Sequence, residues 1–90
     1  MADEENRKAL CLGISRAGHD KGRLYAVLDR RDDVLFVADG VHALTCSPKR
    51  KNVKHVQRIE KLSPEVRDLL DHVCSDSDLV HVLRVYRKEL

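Results

Sequence analysis

Two groups of side chains carry the chemistry this sequence offers. The first is Arg16, His19, Lys21 and Arg23, interleaved with Gly18 and Gly22. Glycine adopts positive φ without penalty, so this stretch reads as a tight turn with exposed backbone amides amid cations, a combination that suits phosphate oxygens. The second is Lys49, Arg50 and Lys51 after Pro48, followed by Lys54 and His55. Cations at that density are sufficient for contact with a polyanion without base readout. A charge run of this kind is ordinarily a solvated loop; clustering favours contact here.

The other reactive residue types are scattered. Cys11, Cys46 and Cys74 form no CxxC pair, so zinc-ligand spacing is missing, and all three are expected to be small core residues rather than nucleophiles. His42, His72 and His81 stand alone, the last two on helix surfaces, and Asp32-Asp33 reads as turn chemistry. Asp20 is expected to fix the first basic turn through its side chain. No Ser-His-Asp pattern, phosphate-binding loop or HExxH occurs, and the expectation is a binding protein, not an enzyme, with no cofactor and no metal. With no Trp, one Phe and two Tyr, stacking on bases is a poor option and binding should be electrostatic.

The net charge of +2 conceals an asymmetry. Residues 1–8 carry a net −1, residues 9–61 a net +5 and residues 62–90 a net −2. The positive charge therefore belongs to the middle segment, the footprint of a polyanion partner. Ninety residues predict one domain with a modest core. The acidic, polar start does not resemble a signal peptide, and no apolar run approaches the ~20 residues that span a membrane. A cytoplasmic monomer with reduced thiols is expected.

The elements that position these clusters follow from periodicity. Residues 1–8 read as a solvated tail. The apolar stretch Ala9–Ser15, then Leu24–Leu28, Val34–Ala38, Val41–Thr45 and Val53–Ile59 read as five short strands, with Arg30–Asp33 a turn, Asp39-Gly40 a hairpin signal and Ser47–Asn52 a basic loop. A small five-stranded barrel over residues 9–61 is predicted, mainly β, with Val27, Leu28, Val34, Phe36, Val37 and Val56 in its core. From Leu62 the period becomes helical. Ser63-Pro64-Glu65 is a helix start, and Leu62, Val66, Leu69, Leu70 and Val73 form one apolar stripe in which Leu69 should be buried. Ser75–Asp78 offers new caps, and Leu79, Val82, Leu83 and Tyr86 form a second stripe that ends in Arg87 and Lys88. The predicted layout is thus a barrel and a two-helix extension, residues 62–90, packed on it.

Gly13–Gly40 resembles a KOW motif, the short barrel segment of several ribosomal proteins and transcription-elongation factors. The likeness rests on Ala17-Gly18-His19-Asp20-Lys21-Gly22-Arg23, on Tyr25–Asp29 and on Val34–Gly40. Pro48-Lys49-Arg50-Lys51-Asn52-Val53-Lys54-His55-Val56 is similar to the ribosomal L14e-like branch and its short bacterial relatives, and the match covers roughly residues 10–58. The resemblance implies an SH3-like barrel that binds RNA, ribosomal RNA above all, through Arg16, His19, Lys21, Gly22, Arg23, Lys49, Arg50, Lys51, Lys54 and His55 opening on one face. The alternative is a protein-interaction module that docks on ribosomal or transcription machinery. The acidic helices should make no RNA contact, so Arg84 and Arg87 should contribute little, and removing the basic-loop cations should leave folding intact.

Overall fold

The structure is a computed structural model and describes residues 9–90, so the tail expected over residues 1–8 lies outside the described residues. The chain forms strands β1 (Cys11–Ser15), β2 (Leu24–Arg31), β3 (Val34–Ala38), β4 (Lys49–Asn52) and β5 (Val56–Ile59), then helices α1 (Pro64–Asp71) and α2 (Asp76–Lys88). All neighbouring strands are antiparallel, in the order β4-β3-β2-β1-β5. The two outer strands of that order, β4 and β5, are consecutive in the chain and separated only by the 3-10 turn Val53–His55. The sheet therefore has to curl until its edges approach one another. The extra residue Leu28 in β2, where pairing slips between Val27 and Asp29, helps it do so, since a bulge bends and twists its strand. The result is a mainly β, SH3-like half-barrel with a two-helix extension.

Burial follows from what covers each strand. Leu24–Leu28 is buried without alternation; it is a central strand of the sheet and α2 packs against it. On β3, Leu35 and Val37 face the core while Val34 and Phe36 are half-buried on the outer face. Val34 and Phe36 were expected inside; one step of register reverses the assignment, because the side-chain period of a strand is two. Leu69 is also only half-buried, whereas Val66 and Leu70 are the buried residues of α1 and Val73, just beyond the helix, is buried with them. Gly13 marks where β1 is squeezed between its neighbours: a Cβ there would meet Val56 Cγ1 at 2.7 Å.

Two expected elements are replaced. Val41–Thr45 is not a strand, because the Asp39 carboxylate accepts from the amides of Val41, His42 and Ala43 at 2.9, 2.7 and 3.0 Å and winds the chain into a turn. Gly40, at φ +83°, completes that turn rather than a two-residue hairpin. The hairpin is instead Asp32-Asp33 between the paired Arg31 and Val34, with Asp32 at φ +55°. The basic loop is β4: Lys49–Asn52 pairs with Val37–Val34 and covers an edge of β3 that would otherwise stand open.

The helices start as read. Ser63 Oγ accepts from Val66 N with Pro64 at the first turn, and Ser75 and Asp78 form a reciprocal capping box. Leu79, Val82 and Leu83 of α2 join the barrel core. Among the described residues no helix is long and apolar enough to cross a membrane. Cys11 is buried in the core, and burial pushes its thiol pKa up. Cys46 and Cys74, expected inside, are exposed, because one lies on the loop after the Asp39 turn and the other in the link between the helices.

Candidate nucleic-acid interface

The turn from Arg16 to Arg23 is organised around a buried acid. Asp20 is 4% exposed. Its Oδ1 accepts from Ser15 Oγ at 2.9 Å and Lys51 Nζ at 2.6 Å; its Oδ2 accepts from Tyr25 OH at 2.7 Å and Lys49 Nζ at 3.2 Å. Burial alone would raise the Asp20 pKa, but the bonds from Lys51, Tyr25, Ser15 and Lys49 together outweigh it and hold the carboxyl well below the usual carboxylate range. Tyr25 shows the converse, pushed up by burial and by its bond to Asp20. Asp20 was expected to hold the turn backbone; it holds hydroxyls and ammonium groups instead.

Gly18 and Gly22, at φ +87° and +89°, let the chain fold back on itself. The amides of Lys21, Gly22 and Arg23 then donate to Gly18 O, Ser15 O and Asp20 O at 3.2, 2.7 and 2.8 Å. The expected cradle of exposed amides is therefore absent over these three residues, because the turn satisfies itself. Contact with an anion falls to the side chains: His19 and Lys21 are exposed and Arg23 is half-buried.

Strand alternation divides the second cluster. Lys49 and Lys51 pair with the core-facing Val37 and Leu35, so they share the inner face and reach Asp20. Their side chains are 45% and 14% exposed. Lys51 Nζ also lies 3.4 Å from Ala17 O. Arg50 pairs with Phe36 and belongs to the outer face, where Arg31 stands 5.9 Å over the Phe36 ring. Lys49 and Lys51 are thus internal staples as well as cations, so the premise of exposed, unpaired cations, on which folding was expected to survive their removal, does not apply to this pair. Their spacing of two is the signal for a shared strand face, and the high charge of the segment obscured it.

The two clusters do meet. Besides the Asp20 ion pairs, Arg16 N donates to His55 O at 2.8 Å, which joins the start of the turn to the end of the 3-10 segment. Asn52 caps that segment by accepting from Lys54 N at 3.0 Å, and Lys54 and His55 are exposed there, as is Arg16. His19–Leu24 also lines an open depression of about 340 Å³ with one further residue, Arg87 of α2. The acidic charge of the helical segment gave no hint that one of its cations stands there.

Elsewhere, Leu28, Asp29, Arg31, Phe36 and Pro48 line a smaller depression of about 210 Å³ on the outer face. Asp39 is set low, to about 2: burial opposes this, and bonds from Ala43 N, the His42 ring, Val41 N and His42 N overcome it. Among the described residues no group of three or more His, Cys, Asp or Glu stands close enough to hold a metal ion. No protein-family model matches this sequence, and no curated protein does.

Proposed function

We propose that this chain is a KOW-like, L14e-like RNA-binding protein of the cytoplasm, a binder and not a catalyst, that grips the phosphate backbone of structured RNA, ribosomal RNA by preference. The observation that carries this reading is the junction of the two basic segments. Arg16, His19, Lys21, Arg23, Lys54 and His55 flank one tied unit, with Asp20 neutralising only part of the charge that Lys49 and Lys51 bring to it. Side-chain cations around a rigid turn favour phosphate contact and leave base identity unread.

The test is fluorescence-anisotropy titration with a ribosomal RNA fragment at several salt concentrations. Arg16→Ala, Lys21→Ala and Lys54→Ala combined should weaken binding to all RNA sequences alike and lower the salt slope by roughly three, about one for each phosphate that no longer meets a cation. Unchanged affinity and slope in a folded triple variant would sink the reading. A second reading, docking on a ribosomal or transcription protein, draws on Val41 and Leu44, which are 65% and 37% exposed on the loop before β4. It predicts association that survives high salt and falls on Val41→Ser with Leu44→Ser.

A further inference from the structure

Helix α2 is held by the barrel at its start and middle and by α1 at its end. At its start, Thr45 N donates to Asp76 Oδ1 at 2.7 Å, and the Gly40 backbone is so close that a Cβ there would lie 2.5 Å from Asp76 O. Its middle buries Leu79, Val82 and Leu83. At its end Ser63 Oγ donates to Glu89 Oε2 at 2.9 Å, tying it to the cap of α1. A helix held in this way delivers its last turn to a set place, and that place is the rim of the depression beside the basic turn. Every other lining residue belongs to the run His19–Leu24; Arg87 alone comes from a different element.

The rim therefore carries three permanent cations, Lys21, Arg23 and Arg87, together with His19. Its one acid, Asp20, is buried, with both oxygens already bonded to Lys49, Lys51, Ser15 and Tyr25. An open, polar, cation-rimmed depression suits an anion, and Arg offers the planar fork that matches phosphate oxygens. We propose that Arg87 completes an anion seat with His19, Lys21 and Arg23, and that the seat takes a phosphate group of a nucleic-acid strand, which makes the helical extension part of the binding face. The identity of the strand rests on the RNA-binding reading above; the seat itself does not.

Arg84 supplies the control, being an exposed cation on the same helix that is not among the residues lining the depression. At low salt Arg87→Ala should weaken RNA binding about tenfold and lower the salt slope by roughly one, Arg87→Lys should lose part of this, and Arg84→Ala should change neither. Equal losses in Arg84→Ala and Arg87→Ala would reduce the effect to net charge and overturn the seat, and so would no loss in either, which leaves the RNA-binding reading standing. The same oligonucleotide with a 5′-phosphate and with a 5′-hydroxyl separates two sources: equal affinity assigns the seat to an internal phosphodiester, and tighter binding of the phosphorylated form to a terminal phosphate. If the wild-type protein binds no RNA, titration with inorganic phosphate decides. Amide shifts in His19–Leu24 and at Arg87, lost in Arg87→Ala, would support the seat while the RNA reading fails; no shifts would overturn both.

Discussion

Asp20→Asn removes one charge and keeps the shape of the side chain, so it isolates what the ion-pair hub contributes. Asp20 accepts four bonds, two of them from lysines, at 2.6–3.2 Å. An asparagine keeps one oxygen and presents an NH2 group where the other stood, so the ammonium on that side loses its acceptor and the hydroxyl there must turn to accept instead. Charge-assisted bonds contribute about 1.5–3 kcal/mol and neutral ones about 0.5–1.5 kcal/mol, so weakening two and losing one costs on the order of 3 kcal/mol. Lys51, largely buried, cannot recover the whole of this from water. For a domain of this size a loss of ~3 kcal/mol lowers Tm by roughly 12–24 °C. Urea unfolding followed by far-UV circular dichroism should show a lower midpoint with an unchanged m-value. The pH dependence sharpens the test. The folded-state pKa of Asp20 is depressed, so its contribution is fully present above the unfolded value of about 4 and fades as pH falls towards the folded value. The gap between wild type and variant should be constant above pH ~5 and narrow below pH ~4. A variant within ~0.5 kcal/mol of wild type at pH 7, or a gap that widens in acid, would refute the hub as the clasp of the barrel.

Gly40→Ala should cost roughly 3 kcal/mol in chemical denaturation, since it combines positive-φ strain with a Cβ 2.5 Å from Asp76 O, whereas Gly22→Ala, with nothing within 4 Å, should cost only about 1 kcal/mol. Asp39→Ala should destabilise by about 2 kcal/mol by stranding the Val41, His42 and Ala43 amides, and this contribution in the wild type should fade between pH ~4 and about 2, as acid-unfolding curves would show. Iodoacetamide followed by mass spectrometry should label Cys46 and Cys74 in the native protein and Cys11 only after unfolding.

Much of this architecture was legible in the sequence where one local rule acts alone. Ser63-Pro64-Glu65 started a helix because hydroxyl cap, proline and acid agree. Gly18 and Gly22 made a turn because the backbone takes positive φ there. Legibility failed where tertiary context overrides a local signal. Val41–Thr45 has strand composition, but a carboxylate two residues upstream of Val41 captures its amides. Lys49–Asn52 has loop composition, yet the open edge of β3 recruits it as a strand. Phe36 is the largest apolar side chain on its strand, but Leu35 and Val37 hold the inner register. Arg87 joins the basic depression through helix packing, which periodicity along one segment does not specify.

The placement of Lys49 and Lys51 links stability to the shape of the charged face. β4 is an edge strand, and inward-pointing charges on an edge strand hinder pairing with another chain. Those charges are tolerable here because Asp20 meets them, and Asp20 stands where it does because Gly18 and Gly22 allow the turn to fold beneath it. Strand alternation and the clasp together set which cations face solvent. Lys49 and Lys51 are drawn onto the carboxylate, strand alternation leaves Arg50 on the outer face beside Phe36, and a backbone bond that follows the β1–β5 pairing joins Arg16 to His55. The cations gathered at the turn are therefore its own, those of the 3-10 segment bonded to its start, and Arg87 of α2, rather than the run of three consecutive cations that is conspicuous in the sequence.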